Sequence, residues 1–572
     1  MAKRARKDGP LLQLVNDNMN MQDAFLIIDK EVSKHENEIV TLWKRRNTFA
    51  PVSRLPPEML CRIFYFASQD LERGPLHWIK VSHVCHEWRD VAVNSPSLWT
   101  NLPLSNARWT EEMLSRSRMA DLTVTGDFLT PYYRKFPTET ISSALRQASR
   151  IRHLSLKVTY PDVIQGLLSE LPQCAPNLES LCIHQASTTE YCEILENVLC
   201  QADRLHRLEI TGCKINWDCH LWSSLTSLKI HNTPPTSKPT TTQLWNAFKR
   251  MPNLESMDLQ RTLPMPEDSP QPREKLFFAH LQKLTVISST PEVQMLLEGI
   301  SFRPTVVIKL ECNTAITSDL DFTRVLSSIS SLLSSSAKFE GMNIRTLEVS
   351  MPSGLGTANG LLVRASTILA SHHQMSYIIP NVELLLSKQM VWTTTMRDKT
   401  LMDVCGALPL KNLVGLHLES NAIFTPHTLA EAVGTLPQLR SMYTVGRNIR
   451  MFIQALQETQ NLTTSTNPGL YFRALHSIFL RDVIFGEDIT MQAVQDCLIW
   501  RYECGVEVLK LKLEECYQIA EDDVSLLGDI IVDLEWDGLE LGLTEEEEEE
   551  DYDVEYDEYS SDSDHYNPYL FF

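Results

Sequence analysis

The sequence predicts an α/β fold. An N-terminal helix and a compact helical segment precede an irregular solenoid of parallel strands with outer helices, and a disordered acidic tail follows. Three features predict this order: two short amphipathic helices between residues 55 and 99, a short apolar pattern that recurs from about residue 151, and a dense acidic run after residue 545. A chain of 572 residues has room for a small domain and a long repeat array.

The helical segment opens with Leu55-Pro56-Pro57. Prolines suit a first helical turn because the missing N–H has no intrahelical partner there, and Glu58 complements the helix dipole. Two apolar faces follow at three- and four-residue steps, the first formed by Met59, Leu60, Ile63, Phe64 and Ala67, the second by Val81, Val84, Cys85, Trp88 and Ala92. About 45 residues cannot bury both faces of both helices, so we expect a partner surface.

This pattern resembles the F-box, the motif by which substrate receptors dock on the small adaptor subunit of cullin–RING ubiquitin ligases. The family's Leu-Pro opening falls on Leu55 and Pro56, and its Val-Cys-x-x-Trp falls on Val84, Cys85 and Trp88. The resemblance covers residues 51–103. It implies that the adaptor binds the apolar anchors Leu55, Pro56, Pro57, Leu60, Ile63, Phe64, Val81, Val84, Cys85, Trp88, Leu98 and Trp99. The alternative is a helical hairpin that packs only against its own chain.

Residues 21–48 are predicted to form one helix. Ile28, Val32, Ile39 and Leu42 lie near heptad positions, but His35 interrupts the seam. We therefore expect the helix to fold back on the F-box segment rather than to form a short coiled coil. Residues 1–20 are predicted to be a flexible basic terminus, either merely solvated or read as a nuclear-import patch.

From about residue 151 one pattern returns: an apolar residue, two variable residues, Leu, one variable residue, and Leu or Ile. Clear copies begin at Ile151, Leu178, Leu205, Leu225, Leu254, Leu281, Ile344, Leu413, Leu475 and Val506. Two longer copies, 205–215 and 413–423, resemble the leucine-rich repeat. The resemblance implies an uneven solenoid over residues 151–540, with residues 104–150 as a linker or first cap. The alternative is another α/β domain with Leu-rich parallel strands.

In such strands the alternating Leu side chains point into the core, and the residues between them line the opposite face. The predicted concave face is the candidate surface for an unknown protein substrate, with Glu209, Lys229, Asp258, Glu348, His417 and Phe479 as its candidate residues.

The acidic tail, residues 545–572, begins with six consecutive glutamates and supplies much of the net charge of −21. Charge repulsion at this density predicts disorder. The tail either recruits a basic partner or only solubilises the chain.

Several function classes leave no trace in the sequence. No catalytic or nucleotide-binding motif is present, and the pI of about 5.3 with no long basic stripe argues against nucleic acid. The scattered cysteines lack metal-site spacing and fit reduced thiols, and neither a secretory signal nor a membrane span is predicted. We therefore expect a cytoplasmic and/or nuclear protein without cofactor or metal.

The expected function is the substrate-recognition adaptor subunit of an SCF-type E3 ubiquitin ligase, which binds the adaptor subunit and through it the cullin. Two alternatives remain. One is a non-catalytic repeat scaffold that binds partners without promoting ubiquitylation. The other is a hydrolase in the irregular second half, which predicts a pocket of polar groups with perturbed pKa values.

Overall fold

The computed structural model describes residues 20–539, apart from 70–73, 75, 130–137, 160–161, 163–164, 168–174, 187–190, 195–201, 220–221, 267–274, 315–320, 335–338, 353–359, 370–377, 389–391, 420–423 and 461–468. The basic terminus, the acidic tail and the end of the 413–423 copy lie outside the described residues.

The described α-helices begin with one long N-terminal helix and two short helices, and each later helix lies between two strands. Their bounds are Met21–Asn47, Pro57–Ser68, His86–Val93, Ala107–Arg116, Thr138–Leu145, Thr241–Lys249, Thr290–Gly299, Thr323–Leu333, Thr394–Ala407, Pro426–Val433, Asn448–Leu456, Met491–Glu503 and Glu521–Gly528. Short 3₁₀ turns at Pro51–Arg54, His77–His83 and Pro96–Trp99 complete the helical segment.

The strands, numbered along the chain, are β1 (Asn101–Pro103), β2 (Leu122–Phe128), β3 (Ile151–Val158), β4 (Ser180–Gln185), β5 (Arg207–Thr211), β6 (Ser227–His231), β7 (Ser256–Gln260), β8 (Leu276–Phe278), β9 (Lys283–Ser289), β10 (Ile300–Phe302), β11 (Val307–Thr314), β12 (Thr346–Ser350), β13 (Gly360–Ser366), β14 (Val382–Lys388), β15 (Gly415–Leu418), β16 (Ser441–Val445), β17 (Thr459–Gln460), β18 (Gly469–Leu470), β19 (Ser477–Arg481), β20 (Lys510–Glu514) and β21 (Asp533–Trp536).

Seventeen of these strands form one continuous sheet. The pairings give the spatial order β1-β2-β3-β4-β5-β6-β7-β9-β11-β14-β13-β12-β15-β16-β19-β20-β21. Every pairing within this sheet is parallel except the two that β13 makes with β12 and β14. This confirms the predicted α/β solenoid of parallel strands.

The recurring pattern forms the sheet because its alternating apolar side chains are buried on one face. Leu208 and Ile210 on β5, and Leu228 and Ile230 on β6, are all buried in the continuous core. The intervening helices supply the other side of that core, as Leu244 does from the Thr241–Lys249 helix. Burial of these Leu and Ile side chains is the main stabilising term of each repeat.

A left-handed residue often ends a strand and turns the chain toward the next helix. These residues have φ between 49° and 70° and follow strands directly: Gly212, Asn232, Arg261, Gly446, Asp482 and Glu515. Each of the first two donates its backbone N–H to the last carbonyl of the neighbouring strand, Gly212 to His231 at 3.0 Å and Asn232 to Gln260 at 2.8 Å. The turn thus preserves the parallel register.

Three features differ from the sequence prediction. The sheet begins at Asn101 rather than residue 151, because β1 and β2 extend the parallel pairing into the predicted linker. After β11 the chain forms β12 three positions further along the sheet, and β13 and β14 then fill the two positions between them. As a result β13 runs antiparallel to both of its neighbours. The last clear copy shifts by two residues: Val508, Leu511 and Leu513 are buried, whereas Leu509 is exposed.

The N-terminal helix also differs from its prediction. Met21–Asn47 contains no buried residue, so it does not fold back into the core of the helical segment that follows it. In the part of the chain that the structure describes, none of the helices is long and apolar enough to span a membrane.

Candidate functional site

The helical segment has an aromatic core of its own. Leu60 and Phe64 are buried on one side of the Pro57–Ser68 helix, and Phe64 packs against Trp88 with ring centroids 5.0 Å apart. Trp99 is fully buried, packs edge-on against Trp78 at 4.9 Å, and donates its indole N–H to the Ala92 carbonyl at 2.8 Å. The hydrogen bond satisfies the one polar atom that the indole buries.

This core continues without a break into the solenoid. The guanidinium of Arg116, on the Ala107–Arg116 helix, lies 4.3 Å from the centre of the Trp99 ring, a cation–π contact. β1 begins two residues after Trp99 and pairs with β2. The helical segment therefore packs directly against the start of the solenoid.

The Pro57–Ser68 helix carries a second apolar stripe, which is not covered by other described residues. Met59, Ile63 and Phe66 follow at four- and three-residue steps and are 48%, 45% and 62% exposed. Val84, in the turn before the His86–Val93 helix, is 59% exposed. Single exposed apolar residues are common, but a stripe on one helix indicates an interaction surface. Hereafter Met59, Ile63, Phe66 and Val84 are called the docking stripe.

The predicted anchors separate into three groups. Leu60, Phe64, Leu98 and Trp99 are buried, so they hold the domain together and are not available as surface contacts. Leu55, Val81 and Trp88 are partly buried and pack against that core, and Cys85 is also partly buried. Pro56, Pro57, Ile63 and Val84 are exposed. The first group therefore corrects the prediction that all of these anchors contact the adaptor. The prediction failed because one helix has two apolar faces, and the residue pattern alone does not say which face packs inward.

Sequence reasoning missed Phe66. It falls outside the inward spacing of Leu60 and Phe64, and its seven-residue offset from Met59 is the signal that places both on one stripe. Cys85 has a local structural role as well: its sulfur accepts the Trp88 backbone N–H at 3.5 Å and caps the His86–Val93 helix.

A second candidate surface crosses the solenoid. Residues in register on successive strands form one row, defined here as the central row: Pro103, Thr125, Ser155, Cys182, Glu209, Lys229, Asp258, Thr285, Lys309, Glu383, Arg364, Glu348, His417, Tyr443, Phe479, Lys512 and Glu535. All six predicted substrate-facing residues lie in it. Of these, Glu348 and His417 are buried, which corrects their assignment to an exposed face, and the other four are partly exposed.

Charges alternate in sign through the middle of the central row. The Glu383 carboxylate lies 2.8 Å from Lys309 Nζ and 3.3 Å from Arg364 Nε, and Arg364 also contacts Glu348 at 2.9 Å. Burial alone would raise the pKa of Glu383, but the hydrogen bond and charge of Lys309, with Arg364, lower the pKa below its ordinary value. The carboxylate is therefore held ionised.

The charged residues around Glu209 in the central row behave in the same way. Burial opposes ionisation of Glu209, but the Arg207 hydrogen bond at 2.6 Å and the charge of Lys229 lower its pKa. Burial likewise opposes ionisation of Asp258, whose pKa is nevertheless lowered by His231 at 2.9 Å. These groups are paired acids and bases rather than a single-sign patch.

Next to the charged stretch lies an aromatic stack. His417 and Tyr443 have ring centroids 5.5 Å apart, and Tyr443 and Phe479 are 6.1 Å apart, with interplanar angles of 22° and 23°. Phe479 is the partly exposed end of the stack.

Four residues of the central row were not among the predicted residues: Lys309, Glu383, Arg364 and Tyr443. Lys309 and Glu383 have the same alternating apolar neighbours as the recognised copies, whereas Arg364 lies on the antiparallel strand and has no repeat signal.

Among the described residues, no group of three or more His, Cys, Asp or Glu side chains is placed to hold a metal ion.

Comparison with known proteins identifies one domain of the chain by its family. Residues 52–105 match the F-box-like family model. A similar solved structure is the complex of Rad7 and Elc1 in yeast, at 14% identity over 90% of this chain and 92% of that chain, with a TM-score of 0.22, which is too distant to bear on fold or function. No curated protein matches the chain. The chain thus carries an F-box-like domain fused to a solenoid built on one 17-stranded sheet.

Proposed function

We propose that this protein is the substrate-recognition subunit of an SCF-type E3 ubiquitin ligase. The observation that carries the proposal is the coincidence of the F-box-like match at residues 52–105 with the uncovered docking stripe. The adaptor subunit binds this stripe and links the chain to the cullin. Exposed apolar side chains next to a rigid aromatic core are suited to this, because little conformational entropy is lost on binding.

The solenoid, which we propose is a degenerate leucine-rich-repeat array, binds the protein substrate along the central row. Phe479 offers an aromatic contact, and Glu209, Lys229 and Asp258 offer charges of both signs for selecting a partner by complementarity. Because these charges are paired within the chain, a substrate must match their pattern and cannot bind by net charge alone.

In this role the protein makes and breaks no bonds. It raises the effective concentration of a bound substrate's lysines near a charged ubiquitin-conjugating enzyme. Neither a cofactor nor nucleic acid or membrane enters the proposal, and it locates the protein in the cytoplasm, the nucleus or both.

The test is to express the full chain with an affinity tag in cells and to probe the captured material for adaptor, cullin and ubiquitylated partners. The test variant is Ile63→Asp/Phe66→Asp, which changes two exposed positions. Met119→Asp is the matched control, because Met119 is an exposed apolar residue outside the F-box-like match.

Wild type and Met119→Asp should retain adaptor and cullin and yield ubiquitylated partners, and the double variant should lose all three. Failure of wild type to retain the adaptor would overturn the proposal. Adaptor binding without ubiquitylation of any captured partner would favour the scaffold alternative.

A further inference from the structure

The long N-terminal helix is stabilised locally rather than by packing. Met21–Asn47 has 27 residues and none is buried. The Asn20 side chain accepts the Gln22 backbone N–H at 3.3 Å at its start, and Lys44, Arg45 and Arg46 complement the dipole at its end. Helices in proteins usually owe most of their stability to a packed apolar face, which this helix lacks in the described part of the chain.

An apolar seam runs along the whole helix. Its positions follow the alternating three- and four-residue steps of a heptad repeat, and we define the seam as Met21, Phe25, Ile28, Val32, His35, Ile39 and Leu42. Its apolar members are between 44% and 71% exposed. An uncovered stripe over about three heptads is the geometry of one strand of a coiled coil without its partner.

Acidic and basic residues occupy different positions relative to this seam. The positions that flank it in the middle of the helix carry Asp29, Glu31, Glu36 and Glu38, whereas Lys30 and Lys34 lie on the outward side. Two contacts near the surface involve the flanking acids: Lys34 forms an ion pair with Glu31 at 3.3 Å, and a ring nitrogen of His35 lies 3.4 Å from the Glu38 carboxylate. Such exposed pairs contribute little, so the seam retains acidic borders.

A second copy of the helix is a poor partner. In a parallel pair, Glu31 of one copy faces Glu36 of the other. In an antiparallel pair, Asp29 faces Glu36 and Glu31 faces Glu38. Both orientations bring like charges together beside the seam, and this disfavours pairing.

We infer that the seam binds an amphipathic helix of a different protein, apolar at its own seam and bearing Lys or Arg at the flanking positions. Burial of the six apolar side chains supplies the attraction, and the acidic borders select a basic partner over a second copy. The seam shares no residue with the docking stripe.

The experiment uses the purified full chain and two synthetic three-heptad peptides with identical apolar seams, one with Lys and one with Glu at every flanking position. Sedimentation measures the mass of the chain, and fluorescence anisotropy measures peptide binding. Because the chain carries a net charge of −21, basic peptides can also bind elsewhere, so variants must identify the site.

Ile28→Ser/Ile39→Ser removes two seam residues. Leu26→Ser/Val40→Ser is the matched control, because these exposed apolar residues of the same helix lie beside the seam. Glu31→Lys/Glu36→Lys reverses the charge of the borders. Five of these six positions are exposed and Glu31 is partly buried, and circular dichroism verifies that each variant keeps its helix.

The chain should be monomeric and bind the Lys peptide at least tenfold more tightly than the Glu peptide. The Ile28→Ser/Ile39→Ser variant should lose this binding, the Leu26→Ser/Val40→Ser variant should keep it, and the charge-reversed variant should prefer the Glu peptide. The inference is overturned if neither peptide binds, if seam variants bind like wild type, or if the chain forms a dimer that Ile28→Ser/Ile39→Ser dissociates.

Discussion

Leu60 and Ile63 lie three residues apart on one helix, yet Leu60 is 1% exposed inside the core and Ile63 is 45% exposed on the docking stripe. Leu60→Ala should therefore lower the free energy of unfolding by about 2–5 kcal/mol, because it leaves a cavity. Ile63→Ala should cost less than about 1 kcal/mol. Urea denaturation followed by tryptophan fluorescence measures both, and equal losses would mean that the two faces are wrongly assigned.

The same pair of residues shows what a sequence can predict about such a site. The spacing of Leu60, Ile63 and Phe64 establishes an apolar helix, but the inward and outward faces depend on what packs against it, here Trp88 and neighbouring aromatic side chains. The hydrogen bond that the buried Trp99 indole donates to the Ala92 carbonyl is likewise not evident from the residue pattern. A local rule identifies the element, and only tertiary contacts divide its residues between core and surface.

The solenoid was easier to predict because each repeat carries its own signal. Leu208 and Ile210, or Leu228 and Ile230, form a buried alternation that any single copy reveals. Arg364 and the rest of β13 escaped because an antiparallel strand inserted between β12 and β14 interrupts the repeat. The order in which those strands pair depends on contacts far apart in the chain, which no local pattern specifies.

Arg501 is a buried cation that holds two elements together. It is fully buried and donates hydrogen bonds to the carbonyls of Leu456 at 3.2 Å and Phe472 at 2.8 Å. Burial also lowers the pKa of this guanidinium. Arg501→Leu removes both bonds and should lower the free energy of unfolding by about 2–5 kcal/mol, since each buried carbonyl loses a donor.

Arg450 provides the control for Arg501. It also donates to two carbonyls, those of Glu487 and Asp488, both at 2.9 Å, but it is exposed. Arg450→Leu should cost less than about 1 kcal/mol because water replaces the lost donors. Similar urea midpoints for the two variants would contradict the assigned role of Arg501.

Glu383 makes the folding stability of the chain depend on pH. Its pKa is lowered in the folded chain, so its contribution is complete above its ordinary value of 4.5 and is lost as pH falls through the lowered value. Wild type should exceed Glu383→Gln in melting temperature at pH 5–7, and the difference should shrink below pH 4.5. Glu515→Gln, which breaks an exposed pair with Arg481, should match wild type throughout. A gap between wild type and Glu383→Gln that persists at low pH would contradict the account.

Cys192 and Cys213 are buried, with their sulfurs 3.0 Å apart. The hydrogen bond with Cys192, together with burial, raises the pKa of the Cys213 thiol. Both sulfurs are buried, and the reactive thiolate form of Cys213 is also disfavoured, so both cysteines should be alkylated by N-ethylmaleimide at least tenfold more slowly than the partly exposed Cys504. Mass spectrometry of timed samples measures the rates, and equal rates at the three sites would show that the pair is accessible.

The central claim is that the docking stripe binds the adaptor subunit of a cullin–RING ligase. The most direct test is calorimetric titration of the purified full chain with purified adaptor, comparing wild type with Ile63→Asp and Met119→Asp. We expect wild type and Met119→Asp to bind alike and Ile63→Asp to bind at least a hundredfold more weakly, because an aspartate would be buried against an apolar surface. The claim is contradicted if wild type shows no binding, or if a folded Ile63→Asp variant binds as tightly as wild type.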